Sequence, residues 1–183
     1  NGITYYGIGT VVALGETDTV TGSSIWELVS TDRFKSQGVS FVNTEIVNSN
    51  SDGLLNGSSG ADNFVVTIDR TVPDAPTTLV SANGTTFNQI GKVDAKGDLD
   101  DVQYDATTWT IEGDETTTIE GVVFTDIESI NKNNHAENGV EITDRILNGT
   151  AGQDLFNIED NNAISANGIT YYGIGTVVAL GET

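Results

Sequence analysis

Carboxylates supply most of the chemistry available to this chain. The densest group is VDAKGDLDD, which places Asp94, Asp98, Asp100 and Asp101 within eight residues. Calcium suits such a cluster, because it accepts six to eight oxygens in flexible geometry. An EF-hand loop needs acidic or amide ligands at its first, third and fifth positions and glycine at its sixth. Counted from Asp94, Lys96 stands third and Gly97 comes too early. The plain reading is an exposed acidic loop, and the sharper one a looser calcium site.

Two further aspartates, Asp62 and Asp154, hold matching places in NGSSGADNF and NGTAGQDLF. Asx turns closed by their side chains are the plain reading here. Asp94, Asp98, Asp100 and Asp101 are candidate metal residues, with calcium as the candidate cofactor. Nucleophilic and histidine chemistry is poorly supplied. The single histidine, His135, lies in the polar stretch NKNNHAENG, where it cannot build a His-cluster metal site and reads as a surface-loop residue. Cysteine is absent, which removes disulfides, thiolate metal sites and Cys nucleophiles. Carboxylate pairs for glycoside hydrolysis depend on separation in space, and such a pair would recur in every copy of a repeated unit. The reading is that the chain is not an enzyme.

Charge narrows the partners. Twenty-seven acidic residues against 7 basic ones give a formal charge of −20. A field of that sign repels nucleic acid and anionic membrane surfaces. No apolar run approaches 18 residues, so membrane insertion is not expected. Disorder would fit the charge, but 37% hydrophobic residues rich in Val, Ile, Tyr and Phe argue for a folded chain.

Repeats organise what positions these groups. NGITYYGIGTVVALGET occupies residues 1–17 and again, without a difference, residues 167–183. Looser versions of its opening are QGVSFVNTEIVN from Gln37, NGTTFNQIGKVD from Asn83 and EGVVFTDIESIN from Glu120. In each, a glycine stands three residues before an aromatic, as Gly84 stands before Phe87. Apolar or β-branched residues usually follow three and six places after the aromatic. The glycines Gly2, Gly38, Gly84, Gly121 and Gly168 alternate short and long spacings, so a unit of 166 residues reads as a diverged duplication of about 83. Residues 1–166 form one unit with halves 1–82 and 83–166, and residues 167–183 begin the next. Trp26 and Trp109 each precede the glycine of the next aromatic phrase by twelve residues and are expected to be equivalent core positions. The chain begins within this pattern, as a piece of a longer protein would.

Short β-branched and aromatic runs bounded by Asn-Gly, Gly-Ser and Asp clusters predict an all-β fold. No segment holds a 3.6-residue apolar stripe for three turns. A sandwich has one argument, the stretch VTIDRTVPDAPTT, which is similar to linkers between bacterial immunoglobulin-like domains and holds both prolines. The repeat phrase resumes directly at Asn83, so residues 69–82 are expected to be a loop excursion that interrupts strand pairing. The architecture expected is a parallel β-helix, or β-solenoid, of eight coils and roughly 40 Å per unit at a ~4.8 Å strand spacing.

GVVFTDIESINKN followed by TDRILNGTAGQDLFNI resembles the repeats of very large secreted bacterial proteins, in the style of RTX and haemagglutinin-like β-helical exoproteins. That resemblance implies export, attachment at a cell surface or matrix, and a β-helical or β-roll body. The resemblance implies calcium ligation by Asp62 and Asp154, but the two NG-x-x-G-x-D phrases stand alone and lack the consecutive nonapeptides through which RTX turns share calcium. The expected function is a structural repeat of an extracellular fibre, stalk or adhesin, whose partners are neighbouring repeats stacked end to end, other fibres, glycans or surfaces. The alternative is a carbohydrate- or surface-binding module that makes contact through loops 69–82 and 131–143.

Overall fold

The computed structural model describes residues 5–71, 76–104, 106–113, 115–131, 136–137, 140–141, 144–159 and 162–180. They are all-β, with no helix among the described residues. This agrees with the expectation at the level of fold class. The strands are not parallel throughout, and the glycine phrase explains why.

Gln37-Gly38, Asn83-Gly84, Glu120-Gly121 and Asn167-Gly168 all have positive φ, between 49° and 87°. Each pair sits between two strands that run antiparallel, with Ser36 opposite Val39, Ala82 opposite Thr85, Ile119 opposite Val122 and Ala166 opposite Ile169. Two consecutive positive φ values define the type I′ turn, whose twist matches that of a hairpin. The expected corner of a parallel coil is therefore a hairpin turn. Antiparallel pairs are inserted between the parallel ones, and the resulting sheets are mixed.

A second bend recurs two residues after the aromatic. Gly7, Asn43, Gln89, Asp126 and Gly173 all have positive φ. Asn, Asp and Gly tolerate this region best, and Gln89 is the departure from that preference.

Two ladders of inward side chains run through the sheets. In the first, Val20, Val47 and Phe87 are neighbours in parallel register, and Val80 and Val66 continue from Phe87 through antiparallel pairs. The strand Asn63–Asp69 also carries Phe64, from which Val102, Ile130 and Tyr171 follow in parallel register. In the second, Val11 pairs with Phe41, and Phe34 and Leu28 continue antiparallel. Trp26, Leu55, Val93 and Phe124 form its parallel middle, and Trp109, Leu147 and Val177 repeat the first three of these. The ladders meet through Phe34 against Phe87 and Phe64 against Phe124, with ring centroids 5.5 and 6.1 Å apart. All four rings are fully buried. Alternating strand geometry places these residues on one face and the polar ones on the other.

From Phe87 to its counterpart Tyr171 the first ladder advances five strands, or about 24 Å at ~4.8 Å per strand. The tryptophans are equivalent as expected: both are buried, and each lies opposite a leucine, Leu55 or Leu147.

The segment 69–82 differs from expectation. Asn63–Asp69 and Thr77–Ala82 pair continuously from Phe64 opposite Ala82 to Asp69 opposite Thr77. Pairing is redirected into a hairpin, and Pro76 immediately precedes its second strand, where no ladder donor is required. Pro73 lies outside the described residues. So do His135 and much of 131–143.

Candidate functional site

The candidate aspartates lie at strand ends, as Asp94 and Asp101 do, or in the connections between strands, and the structure divides them into separate groups. Asp62 and Asp154 close matching loops. Ser58 donates its backbone N–H to Asp62 Oδ2 (2.6 Å) and its hydroxyl to Oδ1 (3.2 Å). Thr150 does the same for Asp154, at 2.8 and 2.9 Å. In both loops the hydroxyl also accepts an N–H two residues on, from Gly60 or Gly152, at 3.1 Å. Asn83 adds a donor to Asp62 Oδ1 at 3.0 Å. These carboxylates act as the acceptors that hold a turn closed.

Asp100 belongs to a different device. It is fully buried, and its Oδ1 accepts the backbone N–H of Asp62 at 2.7 Å. Its own N–H is donated to Glu128 Oε2 at 2.7 Å. Carboxylates thus cap backbone groups from one strand level to the next, through Asp62, Asp100 and Glu128. The other half of the chain repeats part of this arrangement, since Asp18 donates its N–H to Glu45 Oε2 at 2.8 Å. Glu45 and Glu128 are not among the sequence candidates. A signal for them exists all the same: both lie four residues after the aromatic of the repeat phrase, Phe41 or Phe124.

Burial raises the Asp100 carboxyl to about 6, and the nearby Asp62, Glu128 and Asp98 charges push the same way against the Asp62 hydrogen bond. Its Oδ2 is buried without a hydrogen-bond partner. Burial also raises Glu128, with Glu115 and Asp126 adding to the effect. Asp126 is raised by burial and then by its hydrogen bond and charge interaction with Asp94. Asp94 is therefore grouped with Asp126, whose charge in turn acts on Glu128. Asp101 is buried too, but its Oδ1 accepts the Ser129 hydroxyl at 2.9 Å and its Oδ2 lies 3.4 Å from Gln103 Nε2. Among the described residues, no three His, Cys, Asp or Glu side chains form a metal-binding group.

A groove of about 510 Å³ lies where the two halves diverge. In the first half, Ile25–Ser30 runs far enough for Leu28 to pair with Phe34. In the second, Thr108–Thr110 stops short, and Thr116–Ile119 has only Val122–Thr125 as its strand partner among the described residues. Tyr104, Trp109, Glu112 and Thr118 line the resulting opening. The Thr-rich stretch is thus an edge strand. Trp109 is only 5% exposed, so its ring gives little of the open face on which a sugar would stack.

The identical segments occupy unequal surroundings. Tyr171 is 1% exposed and Ile174 5%, whereas their counterparts Tyr5 and Ile8 are 71% and 42% exposed. Ile169–Tyr171 lies between Ser129–Ile130 and Ile164–Ala166, and Ile174–Val178 lies on Arg145–Asn148. Thr10–Val12 has Val39–Val42 as its strand partner.

No protein-family model matches the chain, and no significant match is found among curated proteins or solved structures.

Proposed function

We propose that this chain is a structural repeat of an extracellular bacterial fibre, stalk or adhesin, with strands stacked along one axis as a β-solenoid interrupted by hairpins. The observation that carries the reading is the paired register: Trp26, Leu55 and Val93 recur as Trp109, Leu147 and Val177. Each level covers the edge of the one before, so stability is a sum of neighbour terms and the array has no intrinsic length limit. The unit is residues 1–166, in halves 1–82 and 83–166, and residues 167–183 open the next unit. A charge of −20 keeps neighbouring fibres soluble and apart. No residue is assigned a catalytic role.

Chains carrying one, two and three units in tandem test this by small-angle scattering. The maximum dimension should grow by about 48 Å per added unit, ten strand spacings of ~4.8 Å, at constant cross-section. Growth of the cross-section instead of the length refutes the reading.

A binding role has the groove beside Tyr104 and Glu112 in its favour. On that reading the stack presents this groove, with the hairpin segment 69–82 and residues 131–143, to a glycan or surface. Saturable binding on a glycan array, lost in Tyr104→Ala, would support it. Calcium is proposed as an accessory ion of the candidate aspartates Asp62, Asp94, Asp98, Asp100, Asp101 and Asp154, held by one or two carboxylates at a time, since no group of three is assembled among the described residues.

A further inference from the structure

Two strand edges in the interior of the chain face the groove beside Trp109. Ile25–Ser30 pairs with Ile46–Asn56 on one side and with Arg33–Ser36 on the other. Its counterpart, Thr108–Thr110, pairs with Arg145–Asn148 and, among the described residues, with no second strand. Ladder alternation shows which backbone groups point into the opening. Thr107 O accepts the Ile146 N–H and Ile111 donates its N–H to Asn148 O, so Thr108 and Thr110 turn theirs the other way, toward the groove they line. Ile119 and Val122 flank a two-residue turn as a hydrogen-bonded pair, so Thr118 turns its N–H and C=O away from Val123. Thr110 and Thr118 are the counterparts of Glu27 and Lys35, which lie opposite each other in the first half and form a 2.7 Å ion pair. Counted from the two tryptophans, Arg33 and Lys35 are replaced by Thr116 and Thr118, whereas Val29 and Gln37 are replaced by Glu112 and Glu120. Both glutamates line the groove; Glu112 accepts the Thr118 hydroxyl at 3.0 Å, and Glu120 accepts the Tyr104 hydroxyl. Phe34, whose ring meets Trp26 at 5.7 Å, is replaced by Thr117, which leaves the matching room beside Trp109 without a ring from that strand.

We propose that this groove takes an extended cationic segment of a partner protein, seated on Thr108–Thr110 as Arg33–Ser36 is seated on Ile25–Ser30. The backbone of the segment bonds to Thr110 on one side and to Thr118 on the other. Its basic side chains lie against Glu112 and Glu120, and an aromatic between them fills the room that Thr117 leaves. The opening has thus exchanged two cations for two anions at the positions where the first half supplies its own basic strand. Strand addition of this kind draws affinity from main-chain bonds and specificity from alternate side chains. A second copy of this chain is a poor occupant, because a charge of −20 repels it. The inference rests on the binding role of the groove and names a polypeptide, in place of a glycan, as its occupant.

The probe is a synthetic peptide TRFKSVT, built on Arg33-Phe34-Lys35-Ser36 and titrated calorimetrically into the full chain. Binding should saturate at one peptide per chain and weaken as salt is added, since exposed charges are screened. The same peptide with glutamate in place of its arginine and lysine should not bind. Glu112→Gln combined with Glu120→Gln should weaken binding at least tenfold. Hydrogen exchange on the wild-type chain needs no variant. The Thr118 amide should exchange faster than that of Lys35, and saturating peptide should slow it at least tenfold. The proposal is overturned by a peptide that fails to bind wild type, by equal binding of the glutamate peptide or to the double variant, or by a Thr118 amide already as protected as that of Lys35. A neutral oligosaccharide that binds and is lost in Tyr104→Ala, where the peptide does not bind, keeps the binding role and removes this occupant. When neither binds, the binding role falls as well and only the fibre reading is left.

Discussion

Replacing Asp100 by asparagine should stabilise the protein at pH 8 and flatten its response to acid. The carboxyl is fully buried and titrates at about 6, against an ordinary 3.8. A folded-state value above the unfolded one means that the proton is held more tightly in the fold. The stabilisation this supplies is fully present below the unfolded value of 3.8 and is lost as pH rises through about 6. At pH 8 the fold therefore carries a buried negative charge beside Asp62 and Glu128. A shift of about two pH units corresponds to about 3 kcal/mol. Solvent beside the exposed 96–99 loop screens this to about 1–2 kcal/mol. The substituted amide keeps an oxygen for the Asp62 N–H and removes the charge. The melting temperature of Asp100→Asn at pH 8 should exceed wild type by roughly 2–8 °C, at about 2–4 °C per kcal/mol for a chain of this size. Scanning calorimetry from pH 8 to pH 4 is the assay. Wild type should gain stability on acidification toward pH 4, and the variant should keep only the share from Glu128 and Asp126, which are raised by the same cause. Parallel pH profiles, or a variant less stable than wild type at pH 8, would refute the assignment of a buried charge to this position.

Gly57→Ala should destabilise by about 1–3 kcal/mol in urea unfolding, because its Cβ would press on the Ala95 backbone. Gly60→Ala, in the same loop, meets only the Ser58 hydroxyl at 3.9 Å and should change stability far less. Phe124→Ala empties the contact with Phe64 where the ladders meet and should cost about 3–5 kcal/mol by the same measurement. Calcium at millimolar concentration, compared with chelator, should raise the wild-type melting temperature. That increase should shrink in Asp100→Asn if the ion uses this carboxylate.

The apolar positions are legible because matching places in the sequence meet similar ladder surroundings, as Trp26 and Trp109 each meet a leucine. Trp26 and Trp109, or Phe87 and Tyr171, keep their types where packing is close. Strand direction departs from expectation. Asn83-Gly84 between alternating apolar residues is among the stronger local hairpin signals. Placing those glycines at parallel corners gives their positive φ the wrong consequence. The aspartates are less legible still, because a motif gives the acceptor and not its donor. That Asp62 takes the Ser58 N–H is local to its loop, but that Asp100 takes the Asp62 N–H depends on which strand lies above which, and this follows only from the ladder register.

The hairpin turns also bear on how the chain finds its fold. Parallel neighbours are joined by long connections, as between Phe64 and Val102 or Trp109 and Leu147. Ala82 and Thr85 meet across two residues. Closing a long loop costs more chain entropy than closing a tight turn, and isolated hairpins form in about 1–10 μs. The four Xaa-Gly turns, like the two-residue connection between Ser30 and Arg33, are thus places where order can start locally, each offering a short two-stranded template before any distant segment arrives. Folding begun there can spread to either side, and a chain still emerging from synthesis has starting points along its length. Placing a β-branched residue at Gly84, where φ is +87°, should therefore slow refolding as well as lower stability.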